Sequence, residues 1–375
     1  MKRKNFYITL LLGGCLYIYI LQHYIYVKPK DANDDKSGIQ QMIIRPRSGF
    51  NDQEYCENEL FVYKIETVNS SGKFVTKGKK FECETGLRYL KQFNLTSDTV
   101  VPNKPVDPSN VAFVIAADAG YYPSARAVIH GIRKHFGKNH KIIYYDLGGT
   151  MNNPEFSKEM TELCNFEARL FKWELLPSDV TKVKIFAWKV MIIAEVFNEF
   201  DTFFYLDSSI YFETGDFNAF YEMINNGSLT PFQMSGATGH SMRHATNPGI
   251  YKYVPLDMTI DRHHDMMEAN MMIFHKNEVS KEIIKWSVLC AINRDCIEPP
   301  GSVLACVRET NQTPEGVCHR QDQSLFNILL ANLEQTWLNN GIPVITHVQP
   351  NHPKNSRQRH QTRRLQRTQE KITIC

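Results

Sequence analysis

Apolar residues in this chain fall in short unbroken blocks, and the segments between them carry apolar positions at helical spacing. Val111–Asp118 (VAFVIAAD), Lys141–Asp146 (KIIYYD) and Phe203–Asp207 (FFYLD) lack alternation, as strands covered on both faces do, and each ends in an aspartate. A Gly-Tyr-Tyr-Pro turn and a helix over SARAVIHGIRKHF follow the first block, and residues 185–200 read as a helix leading into the third. Strand, turn and helix in that order predict an α/β fold with a mostly parallel sheet flanked by helices. Ligands of such sheets bind beyond the carboxyl ends of the strands, which singles out Asp207. Ser209 lies two positions on and at strand period points the same way, so both side chains address one bound ion or phosphate. Asp118, at the end of the first strand, suits either the base or ribose of a nucleotide or the cap of the following turn.

The amino terminus carries a different pattern. Lys2, Arg3 and Lys4 precede a run without formal charge, Phe6–Val27, long enough to span about 30 Å of hydrocarbon as a helix. No A-x-A cleavage pattern precedes Lys28, so the run predicts a single uncleaved transmembrane helix, a signal anchor with its basic end cytoplasmic. The protein is then expected to be a single-pass type II membrane protein of the Golgi apparatus or endoplasmic reticulum, held in the lipid bilayer by Phe6–Val27. The expected organisation is a cytoplasmic tail over 1–5, the anchor over 6–27, a stem with a small cysteine-containing lead-in over 28–109, an α/β domain over 110–350 and a basic tail over 351–375.

Composition narrows the partners. With 42% hydrophobic and 22% charged residues the chain reads as globular, and a net charge of +3 argues against nucleic acid, although Lys354–Lys371 is rich in arginine. Of nine cysteines, Cys15 lies in the anchor and eight remain for disulfides in an oxidising lumen. Cys56 and Cys83 bracket a hairpin-like segment with Ser-Ser-Gly at its centre. Cys290, Cys296, Cys306 and Cys318 surround a Pro-Pro-Gly loop without the C-x-x-C spacing of zinc sites, and their pairing stays open. Sequons at Asn69, Asn94, Asn226 and Asn311 are compatible with a glycoprotein. Gly236–His244 (GATGHSMRH) has the small, polar character of a loop that closes over a ligand. His263, His264 and Asp265 invite a metal reading, but adjacent strand residues diverge.

The block YLDSSIYF resembles the strand and D-x-D signature of nucleotide-sugar glycosyltransferases with a GT-A fold, with Ser209 in place of the second aspartate. The order of blocks is similar to that of the retaining, glycogenin-like family-eight enzymes. It includes Glu268–Phe274 (EANMMIF) as a strand after the signature, and the Asp322-Gln323 pair of HRQDQSLFNILL at the head of a helix. The succession WSVLC, CIEPP and CHRQDQS also resembles a nematode-enriched domain family of unknown function. The resemblance covers roughly Asn110–Pro350. It implies a nucleoside-diphosphate sugar donor and a glycan or protein acceptor. Lys184 and Lys189 are then placed near the diphosphate, and Asp322 and Gln323 near the reacting carbon, with an N-terminal helix cap as the other role for Asp322. Asp207 and His347 are implied as ligands of a divalent cation such as Mn2+, held less tightly because a serine hydroxyl replaces a carboxylate. That replacement also motivates an alternative, a catalytically inactive glycosyltransferase-like binding or scaffold protein of the secretory pathway.

Overall fold

The computed structural model of the protein describes residues 56, 59–310, 312–342 and 362–364. The Phe6–Val27 segment, His347 and most of the basic tail lie outside the described residues. Among the described residues no helix is long and apolar enough to cross a membrane.

Among the described residues the first strands form a hairpin of β1 (Lys64–Asn69) and β2 (Gly72–Lys77), followed by α1 (Cys83–Gln92), whose first amides bond the Glu82 carboxylate. Next come β3 (Ala112–Ala117), α2 (Tyr122–Phe136), β4 (Ile142–Asp146), α3 (Pro154–Thr161) and β5 (Phe166–Leu170). A right-hand half then adds α4 (Ala187–Glu199), β6 (Thr202–Asp207), β7 (Ile210–Phe212), α5 (Asn218–Asn225) and β8 (Phe232–Met234). The last stretch holds β9 (Ala237–Ser241), β10 (Asp265–Met267), β11 (Met271–His275), α6 (Glu278–Ala291), the short α7 (Arg294–Ile297) and α8 (Gln321–Asn339).

Six strands form the central sheet in the order β5-β4-β3-β6-β11-β8, with β11 antiparallel to both neighbours and the β5-β4-β3-β6 run parallel. Side chains alternate across each strand, so one apolar block feeds two cores. Ala112, Val114, Ala116, Phe203, Tyr205, Met272 and Phe274 face the layer of α4, α6 and α8, while Phe113, Ile115, Ala117, Phe204, Leu206 and Ile273 face α2 and α5. The expected α/β fold with a mostly parallel, helix-flanked sheet is what forms. From β3 the chain steps outward to β4 and β5 and then returns to place β6 on the opposite side of β3. The crevice between the carboxyl ends of β3 and β6 is therefore a topological switch point.

Local details depart from the sequence reading. Helix α2 begins at Tyr122, two residues before the expected start, because Pro123 fits the first helical turn and Asp118 accepts from the Tyr121 amide. The Glu268–Phe274 block is not one strand: Glu268–Asn270 forms the bend between β10 and β11. Phe61, Tyr63, Ile65, Phe81, Leu87 and Leu90 from the segment before β3 join the same apolar cluster as α4, α6 and α8. The Asn332 amide of α8 further donates to the Tyr63 hydroxyl at 3.2 Å. The disulfide pairing left open by the sequence is Cys290 with Cys296 and Cys306 with Cys318, at Cα separations of 5.2 and 5.0 Å. Cys56 pairs with Cys83 around the hairpin, as the bracketing predicts, and Cys164 is also disulfide-bonded.

Candidate active site

Three elements deliver charged side chains to one place. Helix α4 carries Lys189 in its first turn, β6 ends in Asp207, and α8 carries Asp322 in its first turn, where the helix dipole favours an anion. The Lys189 ammonium lies 2.8 Å from Asp322 Oδ2 and 3.3 Å from Asp207 Oδ1, and donates to the Ala269 carbonyl at 3.1 Å. It also sits 5.3 Å from the centre of the Tyr205 ring and 5.6 Å from that of Phe186. The Lys189 and Asp322 side chains are only 4% and 5% exposed, whereas that of Asp207 is 36% exposed, so the buried pair backs a carboxylate that still meets solvent.

Burial works against the Lys189 ammonium, but the Asp207 and Asp322 charges outweigh it and hold its pKa above the ordinary lysine value. Burial also lifts the Asp322 carboxyl above the usual aspartate range, against the pull of Lys189. The Tyr205 hydroxyl, buried beneath the same charges, is pushed well up by desolvation and has no hydrogen-bond partner.

Lys189, Asp207 and Asp322 line a cavity of about 280 Å³ together with Glu268, Asn270, Gln323, Arg320 and His240. Its shape depends on α8. The Gln323 amide oxygen accepts from the Ala269 amide at 3.3 Å, and Asn327, one turn on, bonds both the amide and the carbonyl of Met267. The bend between β10 and β11 is thereby clamped to the helix, and Asn270 donates to the Glu268 carboxylate across it. Two residues of the wall are held in left-handed backbone, Phe186 at φ 59° and Gln321 at φ 37°, immediately before α4 and at the start of α8. An aromatic residue in that region costs on the order of 1–3 kcal/mol, and such outliers gather where surrounding structure fixes a site.

The sequence-derived candidates fare differently. Asp207, Lys189, Asp322 and Gln323 come together at this cavity. Lys184 does not: it is exposed on a 3-10 turn, Val183–Ile185, because that turn ends before α4 begins. Ser209 is also not among the lining residues, since β6 stops at Asp207 and Ser208–Ser209 turn the chain into β7, which removes the strand period that would have aligned the two side chains. Asp118 lies one residue past the end of β3 and spends one carboxylate oxygen on the Tyr121 amide at 3.1 Å, the turn-capping role, beside the switch-point crevice. Gln323 braces the bend and does not present a free amide. His347 lies outside the described residues. Glu268, Asn270, Arg320 and His240 are not singled out by the sequence, because they reach the cavity from a bend, a helix cap and the short strand β9, which lies within the stretch that reads as a loop.

For a divalent cation at Asp207 the described surroundings fit poorly. Asp207 belongs to no group of three closely spaced metal-ligating side chains among the described residues, and its counter-charge is the Lys189 ammonium.

Residues 61–194 match the model of a protein family described as "Protein of unknown function (DUF1647)". No curated protein matches the chain. Among solved structures, the chain is similar to the bifunctional glycosyltransferase WbbM in its apo form, with 14% identity over 51% of this chain and 38% of that one and a TM-score of 0.33. It is also similar to the glycosyltransferase GlyE of Streptococcus pneumoniae TIGR4, with 17% identity over 59% of this chain and 43% of that one and a TM-score of 0.31. The chain thus spans about two fifths of the length of those proteins. Superpositions this loose carry no weight for function, which rests on the strands and side chains described above.

Proposed function

We propose that this protein is a glycosyltransferase-like enzyme that moves a sugar from a nucleoside-diphosphate donor to a hydroxyl of a glycan or protein acceptor. The observation that carries the reading is the Asp207–Lys189–Asp322 chain at the carboxyl end of β6, next to the switch point where α/β sheets bind nucleotides. The cavity, about 280 Å³, lies just under the range of about 300–1,000 Å³ typical of sites that enclose a whole drug-sized ligand. It suits one sugar ring, with the nucleotide lying along the crevice toward Asp118. Carboxylates and amides of Asp207, Glu268 and Asn270 supply the directional acceptors and donors that sugar hydroxyls require.

In the transfer, the bond from the anomeric carbon to the diphosphate oxygen breaks and a bond to the acceptor oxygen forms. The acceptor's proton leaves with the departing diphosphate. Negative charge gathers on that diphosphate, and Lys189 and Arg320 are the cations of the cavity wall that favour it. Asp207 faces the ligand, while Asp322 acts on it through Lys189. The sequence resemblance further suggests retention of anomeric configuration. The disulfides and the Phe6–Val27 run support a lumenal, anchored location.

The test is calorimetric titration of the full-length chain with a panel of nucleoside diphosphates, with and without manganese, alongside Asp207→Ala. Binding of one diphosphate that weakens in the variant is expected. If no nucleotide binds the wild-type chain, the transferase reading fails.

A further inference from the structure

A second cluster of ligating side chains lies at the edge of the cavity. His240 in β9, His244 in the turn that follows, and Glu309 in a loop far along the chain each offer one ligating atom, and those atoms all lie within 4.8 Å of one another. Each is prepared to bind. The Glu309 carboxylate is locked by both oxygens, one accepting from the Ser241 amide at 2.5 Å and the other from the Ser241 hydroxyl at 2.6 Å, which leaves its remaining lone pairs for another partner. His244 Nε2 sits 3.0 Å from the Val307 carbonyl and so carries the proton. That bond fixes the tautomer and leaves Nδ1, buried without a hydrogen-bond partner, as a lone pair. His240 Nδ1 is likewise buried without a partner, and the two imidazoles stack at 5.1 Å with an angle of 18° between their planes. Two buried imidazole nitrogens without a donor, beside a carboxylate held on the same strand, cost free energy unless something satisfies them.

We propose that His240, His244 and Glu309 bind a divalent transition-metal ion of the zinc class. Two imidazoles and one carboxylate match the three-ligand set of zinc sites that keep one position open, whereas calcium and magnesium prefer oxygen alone. Bonds of about 2.0–2.2 Å draw the ligand atoms closer than they stand here, by less than about 1 Å each, a shift available to a half-buried histidine on a short strand and to a glutamate in a loop. His240 belongs to both the triad and the cavity wall, so a bound ion adds positive charge to that wall, near Arg320. The site is separate from Asp207 and stands whether or not the transferase reading does. Cys306–Cys318 brackets the loop that carries Glu309 and restrains its approach.

The full-length chain, stripped with a chelator and dialysed, is titrated with cobalt(II) and then with zinc. One tightly bound equivalent is expected, with the visible absorption of tetrahedral cobalt, displacement by zinc and a rise in melting temperature on loading. His240→Asn and Glu309→Gln should each weaken binding on the order of 100-fold, and Asp207→Ala should leave it unchanged. Circular dichroism reports the fold of each variant. Should His240→Asn unfold the chain, Glu309→Gln, which still accepts one hydrogen bond from Ser241, decides the question. The proposal is overturned if the wild-type chain binds cobalt no more tightly than Glu309→Gln does, or if binding is lost in Asp207→Ala and kept in Glu309→Gln.

Discussion

Replacing Lys189 by methionine removes the ammonium while keeping an apolar stem of similar length, so the effect reads out the buried pair and not a cavity. Asp322, 5% exposed, then keeps a charge with no ion partner. Breaking a buried pair from one side costs about 3–5 kcal/mol. The lost hydrogen bond to the Ala269 carbonyl adds about 1 kcal/mol. Lys189→Met should therefore destabilise the chain by roughly 4–6 kcal/mol at neutral pH. The double variant Lys189→Met with Asp322→Asn removes the stranded charge and should recover at least about half of the loss, a coupling of the size expected for contacting groups. The pH dependence has a definite sign. Burial raises the Asp322 carboxyl in the native chain, and without Lys189 nothing opposes that rise, so the folded variant takes up a proton before the unfolded chain does. The penalty should shrink as pH falls through the raised native pKa. Urea unfolding of the full-length chain, disulfides intact, at neutral and mildly acidic pH measures all three quantities. A single-variant cost below about 1 kcal/mol, or a double variant no more stable than the single, would refute the assignment of Lys189 as the charge that holds Asp322.

Three further outcomes follow from the same geometry. His319 is buried, accepts from the Asn247 amide on Nδ1 and bonds the Ile297 carbonyl through Nε2, and burial holds its pKa down to about 4 from 6.5. Below pH 6.5 the unfolded chain therefore takes a proton that the native state refuses, so acidification from neutral pH to pH 5 should remove about 2 kcal/mol through this residue. His319→Gln should flatten that slope in urea unfolding, and an unchanged slope would exclude His319 as its source. A Cβ at Gly78 would lie 2.0 Å from the Tyr253 carbonyl oxygen, so Gly78→Ala should destabilise by about 1–3 kcal/mol and lower the melting temperature measured by calorimetry; an unchanged melt would contradict the packing of the hairpin against that turn. Ser209→Asp should bring no gain in manganese affinity, because the turn after β6 takes position 209 away from the cavity lining; tighter binding by calorimetry would show that the side chain reaches it.

Much of the fold was legible in the sequence because burial on both faces leaves an unmistakable pattern. The apolar blocks ending in Asp118, Asp146 and Asp207 could only be strands sandwiched between helices, and the helical stretches between them fixed a mostly parallel connection. Asp207 could be picked out because ligands of such sheets bind beyond the carboxyl ends of the strands, although the pattern alone does not separate it from Asp146, whose buried carboxylate accepts from the amides of the following turn. Tertiary structure alone decided which charges meet. Lys189 and Asp322 are far apart in the chain and become partners only because α4 and α8 begin at the same end of the sheet, while Lys184, an equally plausible cation by sequence, stays on an exposed turn. The bend at Glu268–Asn270 cut short a run that looked continuous, because Gln323 and Asn327 bind its backbone from a distant helix. Glu309 meets His240 and His244 through the backbone and hydroxyl of Ser241, 68 residues away, and no local spacing encodes a contact made by a loop folding back on a strand.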